Sequence, residues 1–232
     1  DNIPCIKEIE DKLKNFVSNG GKLLSSGKSM LTENGFAFDF GVKWIGESEY
    51  KPDYMHPLFE YDDVYDTDYV MYTGSQKTEL SGGRELAKKV APYFNRTVEH
   101  FCSHQHAPSS GVYDGCGMSE GKDGIYIAWN IFSNYAEKGS LISKRAVCYA
   151  LDTLLGDKKT LKTNLPAQGV VTLMEQKAEN RLVSHFLYAV PTPRGNGTYI
   201  IEDILPVYNI AAEIKTDKKI KKVYIAPEEK EI

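Results

Sequence analysis

IPCIKEIEDKLKNFVSNGGKLLSSGKS, residues Ile3–Ser29, is the stretch on which the reading of the fold turns. Ile3, Ile6, Ile9, Leu13, Phe16 and Val17 recur at helical spacing, and Lys7, Glu8, Asp11, Lys12 and Asn15 fall on the opposite side, the pattern of an amphipathic helix with one face on a core. Pro4 stands in the first turn, where its missing N–H costs little. Gly20 and Gly21 supply the left-handed residue that stops a helix. Lys22-Leu23-Leu24 then reads as a short buried strand. Helix followed by strand is one unit of a parallel sheet, whose chemistry collects just past the carboxyl ends of its strands, so Ser25–Ser29 is the first place to look for a site.

Working outward, Leu31–Thr67 reads as a long loop rich in Gly, Asp, Glu and Tyr, either functional or wrapped against a neighbour. Tyr69–Thr73 is a strand candidate. Arg84–Phe94 is predicted to be a second helix because Leu86, Val90 and Phe94 stand four apart, with Pro92 ending it early. Asn95–Lys122, with its glycines, serines and histidines, reads as a loop, Ile125–Trp129 as a buried strand, and Leu141–Leu155 as a third helix closed by Gly156. Beyond Lys158 the texture changes to short β-branched runs separated by turn residues: Gly169–Met174, Arg181–Val190, Thr198–Ile204, Ile210–Ile214 and Lys221–Ile225. Several strands without a helix indicate a small antiparallel sandwich. The expected organisation is an α/β domain over residues 1–160 and a β-sandwich domain over 161–232.

The totals narrow the function. In 232 residues, 41% hydrophobic and 26% charged with a net charge of −4, there is no electrostatic attraction toward nucleic acid or anionic membrane. Lys218, Lys219, Lys221 and Lys222 form a short run of the kind found on a solvated strand face. Cysteines at positions 5, 102, 116 and 148 are too scattered for a disulfide framework. No apolar run reaches the ~18 residues that span a bilayer. The chain opens directly on a helix with no charged-then-apolar leader, which fits a mature start or a piece of something longer, in a bacterial cytoplasm or periplasm.

Taken together, Gly20–Gly27, the Asp39-Phe40-Gly41-Val42 turn, Pro92–Thr97 and the run His100-Phe101-Cys102-Ser103-His104-Gln105-His106-Ala107-Pro108 resemble one family, the block Tyr93–Pro108 being the most specific part. The chain is similar to the C-terminal half of bacterial hypothetical glycoside hydrolases whose N-terminal half is a (β/α)₈ barrel. Gln176–Arg181 and Glu202–Tyr208 look like its last segment. The resemblance implies a flavodoxin-like, class I amidotransferase-like parallel sheet with flanking helices, called the trimerisation domain in the related β-galactosidases, and then a small antiparallel β-sandwich. It also places the catalytic barrel and its carboxylates before Asp1. The expected function is therefore that of a non-catalytic accessory or oligomerisation region, self-associating in a trimer of the full-length parent, without a cofactor. A carbohydrate-binding module is the first rival reading, and a residual serine hydrolase or amidotransferase the second.

Each reading has its candidate residues. An amidotransferase sets its nucleophile in a strained strand-to-helix elbow with a histidine from a later loop, and here the elbow holds Ser25 or Ser26, with His104 or His106 as base. No Gly-x-Ser-x-Gly frame surrounds them, so an elbow kept for packing is the plainer interpretation. Cys102, His104 and His106 alternate along one segment and, with Cys116, offer four zinc-type ligands, though with the wrong spacing for a Cys-x-x-Cys knuckle. Histidines bonded to backbone and carboxylates are the ordinary alternative. Asp62, Asp63, Asp66 and Asp68 lack the glycine and terminal Glu of a calcium loop. Trp44, Tyr50, Tyr54, Tyr61 and Tyr65, interleaved with carboxylates, suit a sugar-stacking surface or an intersubunit contact. Glu202 and Asp203 are adjacent and point to opposite faces of a strand, which argues against a shared sugar.

Overall fold

The computed structural model describes residues 1–227 and 230–231, and the chain divides into two compact units, Asp1–Gly156 and Asp157–Ile232. The first opens on a helix as the sequence predicts, but a shorter one: Pro4 lies ahead of it instead of in its first turn, and Ile3, Ile6 and Phe16 of the expected core face are 50–52% exposed. Helix α1 spans Lys7–Ser18, packs Ile9, Leu13 and Val17 on the core, and carries the ion pairs Lys7–Asp11, Lys12–Glu8 and Lys14–Glu10 one turn apart on its outer face. Gly20 adopts φ +87°. Its N–H donates to Val17 O (2.9 Å) and that of Gly21 to Phe16 O (3.0 Å), the Schellman closure that a glycine in the left-handed region permits. Strand β1, Leu23–Ser26, follows.

A hairpin of β2 (Leu31–Thr32) and β3 (Gly35–Phe36), then β4 (Val42–Glu47) and β5 (Asp53–Pro57), occupy the region read as one long loop. After β6 (Tyr69–Met71) and β7 (Gln76–Leu80) comes β8 (Arg84–Pro92), a nine-residue strand where a helix was predicted. Leu86 and Val90 are buried in it, but so are Ala87, Lys89 and Ala91, because β8 lies between two partners and repeated bulges against one of them break the simple alternation. Strand β9 (Ser109–Glu120) is twelve residues long and also corrects the loop reading. Gly111 and Gly115 take positive φ there, and a Cβ on Gly117 would meet the Trp129 ring at 2.4 Å, so these glycines serve bulges and close packing instead of flexibility.

Strand β10 (Gly124–Ile127), helix α2 (Ile131–Lys138) and helix α3 (Leu141–Leu155) complete the unit. Helix α2, missed in the sequence, ends at Gly139 in the left-handed region. The six-stranded sheet has the order β1-β10-β9-β8-β5-β6. Only β1 and β10 are parallel; every other pairing is antiparallel. The sheet is thus mixed, and the unit predominantly β, in place of the flavodoxin-like parallel sheet expected. Its core gathers Phe40, Met55, Met71, Met118, Tyr126 and Trp129, all essentially without exposure.

The second unit is built of two-stranded antiparallel ladders. Strand β11 (Leu161–Thr163) is followed by β12 (Val170–Gln176), β13 (Arg181–Leu187), β14 (Thr192–Arg194), β15 (Thr198–Ile200), β16 (Ala212–Ile214), β17 (Tyr224–Ile225) and β18 (Lys230–Glu231). They pair as β11 with β16, β12 with β13, β14 with β15 and β17 with β18. The strands are antiparallel as expected, but hydrogen bonding joins them two by two, in place of the two larger sheets of a sandwich. Positive φ at Asn180, Gly195 and Gly197 explains why these turns were legible.

Candidate functional site

The end of β1 was the expected site. Ser25 Oγ donates to Ser29 O (3.1 Å), and Ser26 Oγ to Asp1 Oδ1 (2.5 Å). The other oxygen of Asp1 accepts from the backbone N–H and hydroxyl of Ser133, at 2.8 and 2.9 Å, in the first turn of α2. A carboxylate there satisfies an otherwise open N–H and complements the helix dipole. Ser26 is therefore part of a stitch between the start of the chain, β1 and α2. His104 is exposed elsewhere, with Nδ1 3.2 Å from Ser103 Oγ, so the serine and its proposed base have different partners.

Residues 93–108 form a loop held by its own side chains. The Phe94 and His100 rings stack at 4.1 Å, Arg96 donates to Gln105 O (3.1 Å), and Asn95 donates to Glu49 O while accepting from the Lys51 N–H. It exposes Tyr93 at its base, where the Tyr93 N–H donates to Pro108 O (3.1 Å), and Val98 and Phe101 at its tip, with Val98 96% exposed. An open hollow of about 480 Å³ is lined by Arg96, Thr97, Val98 and Phe101. His106 turns inward, edge-on to Tyr72 (5.5 Å between centroids), and its buried Nδ1 has no partner among the described residues.

The four metal candidates are not gathered. Cys102 Sγ points at the carbonyls of His104 and His106. Cys116 lies buried in β9 against Met118 O (3.3 Å), where burial pushes its thiol up to about 12, away from the thiolate a metal requires. Among the described residues no group of three or more His, Cys, Asp or Glu side chains is arranged to hold a metal. The acidic run also disperses. Asp63 forms a bidentate pair with Arg145, which holds its carboxyl below the ordinary range. His56 lies between Asp68 (2.9 Å) and Asp66 (3.3 Å).

The aromatic residues occupy different elements. Trp44 on β4 donates Nε1 to Gln76 Oε1 (3.0 Å), and Tyr54 on β5 is buried with its hydroxyl on Ala107 O (2.6 Å). Tyr61 donates to Asp152 (2.7 Å) beneath the Arg145 guanidinium, and burial, then that hydrogen bond, push its hydroxyl up. Tyr50 is half-buried and Tyr65 exposed.

What sequence reasoning missed is a buried ionic cluster. Asp53 on β5 and Lys89 on β8 have no exposure at all. Lys89 Nζ lies 2.7 Å from Asp114 Oδ2 on β9, 3.9 Å from Asp53 Oδ2 and 3.0 Å from Ser48 Oγ. Asp53 accepts from Trp129 Nε1 (2.6 Å) and from Ser75 Oγ, and Lys77 reaches Asp114 from β7 (3.2 Å). Burial raises the Asp53 carboxyl to about 6 against the opposing pull of Ser75, Trp129 and Lys89. A charge in such a place persists only when paired and hydrogen-bonded. Reading 84–92 as a strand would have exposed Lys89 as an anomaly. Asp53 and Lys89 are sealed from solvent, while the Asp114 edge, where Lys77 reaches in, is partly exposed; the cluster braces β5, β7, β8 and β9.

Comparison with solved structures places the chain beside one protein throughout its length. It is 44% identical to α-L-fucosidase isoenzyme 2 from Paenibacillus thiaminolyticus, with a TM-score of 0.97, over 100% of this chain and 36% of that one. The chain thus spans little more than a third of the fucosidase it matches. A β-galactosidase from Rahnella sp. R3 is matched at 13% identity and a TM-score of 0.43, over 72% of this chain and 23% of that one, a likeness that carries no argument. No family model and no curated protein matches the chain. The expected relation to part of a glycoside hydrolase is supported by the fucosidase; the trimerisation and amidotransferase features are not.

Proposed function

We propose that this chain is a non-catalytic accessory region of a larger glycoside hydrolase, with α-L-fucosides as the substrate class of the whole. The observation that carries the proposal is the match of every part of the chain to one stretch of a fucosidase nearly three times as long. The side chains that could have supplied chemistry support it. Ser26 is tied to Asp1, Cys116 is buried, and Asp53 and Lys89 are buried and paired.

On this reading the first unit serves assembly, the role that the trimerisation domain has in the family it resembles. The apolar tip of the 93–108 loop is the contact surface, with Val98 and Phe101 at its centre. Light scattering on the full-length parent and on V98D/F101D would test this. Loss of the higher-order assembly in the variant is expected, and an unchanged number of chains per particle would discard the assembly role.

A further inference from the structure

Among the described residues after Ala150, none is buried, although the second unit is built from strands rich in Val, Ile, Leu and Tyr. Tyr199, Ile201, Ile204, Leu205 and Tyr208 are 56–88% exposed, and Leu187 at the end of β13 is 69% exposed. They surround ladders of only two strands, which are marginal in water without a covered face and leave unpaired edges. An open groove of about 630 Å³ in the same unit, floored by Leu173, Met174 and Leu182 and flanked by the Glu175–Lys218 ion pair, adds to the uncovered surface. Isolated exposed apolar residues need no explanation, but a run of them on a unit with no core of its own does.

We propose that this surface, centred on residues 199–208, is an intramolecular docking face covered by the remainder of a longer polypeptide. The covering part corresponds to the nearly two-thirds of the fucosidase that this chain does not span. The fold recurs at a TM-score of 0.97 within that longer protein, so the unit's open ladders are kept in a setting with ample further chain to cover them. The inference rests on the accessory reading, and it gives the second unit a definite task, which is to complete its own core against the neighbouring region and brace it there.

The test compares the 232-residue chain with the polypeptide of the complete reading frame by amide hydrogen exchange. In the longer protein, amides of residues 170–208 should exchange about 100-fold or more slowly than in the 232-residue chain, while those of β8 and β9 keep the same rates in both. Equal rates at 170–208 would overturn the proposal. So would protection that rises with concentration in the 232-residue chain, the signature of a second copy, and so would a reading frame encoding these residues alone. The paired variant I204D/L205D should leave the melting temperature of the 232-residue chain unchanged and lower that of the longer protein by several degrees; no drop in the longer protein counts against the docking face. Failure of the accessory reading has a different signature, namely glycoside turnover by the 232-residue chain, which leaves the exchange comparison intact.

Discussion

Trp129 and Tyr199 are both large aromatic residues in a β-rich setting, yet the first is fully buried and the second 69% exposed. That contrast runs through the two units. In the first, a six-stranded sheet and three helices enclose a core tight enough to hold a lysine and an aspartate with no exposure. In the second, apolar side chains of the same kinds surround two-stranded ladders and, among the described residues, none reaches burial. Hydrophobic composition alone therefore does not make a core; the number of strands that share a face does.

The contrast can be broken or sharpened by substitution. Lys89→Met should have the largest effect, about 3–5 kcal/mol of lost stability by urea unfolding, because it leaves Asp53 buried without its cation and takes from Asp114 the nearer of its two lysines. Trp129→Ala should cost about 3–5 kcal/mol for the cavity alone, and it also removes the indole N–H from Asp53. A loss below 1 kcal/mol for either would mean that the first unit is no better packed than the second.

A pH series sharpens the same point. The folded carboxyl of Asp53, facing Lys89 and Asp114, titrates near 6, above its ordinary 3.8, so between those values the folded state holds the proton that the unfolded state has released. Its contribution to stability is then present below about 3.8 and lost as pH rises through about 6. Asp53→Asn should remove that dependence, flattening the unfolding free energy between pH 4 and 6 relative to the unmodified chain. An unchanged slope would show that Asp53 is not the group responsible. Next in size, Asp1→Ala should cost about 1 kcal/mol by removing the cap on α2. Smallest is Arg194→Ala in the second unit, whose exposed pair with Glu202 should be worth less than about 1 kcal/mol.

How far the fold was legible follows from where its determinants lie. The α1–Gly20–Gly21–β1 sequence, helix α3 with its closing glycine, and the hairpin β12–β13 rest on local signals of periodicity and turn chemistry, and they read correctly. Strands β8 and β9 did not, because bulges disrupt their alternation and glycines placed for bulges and for the Trp129 ring resemble a loop. The parallel sheet was over-read from one helix–strand unit; among the described residues β1 pairs in parallel with β10 and with no other strand.

The candidate site was legible as a place but not as a chemistry. Ser26 does stand at the end of β1, yet its partner Asp1 is 25 residues away and that partner's other contact, Ser133, is 132 residues from Asp1. No local pattern announces such a link. The cluster of Asp53, Lys89 and Asp114 is equally scattered, on three strands that join only in the folded sheet. The exposed tip of the 93–108 loop lay within the most specific part of the resemblance, but its exposure is a property of the folded structure.

Hydrolysis of an aryl α-L-fucoside by the purified 232-residue chain, beside the polypeptide of the complete reading frame at equal concentration, tests the central claim most directly. Turnover by the longer protein and none above the buffer rate by the chain alone is the predicted result. Enzymic turnover by the chain alone would contradict it.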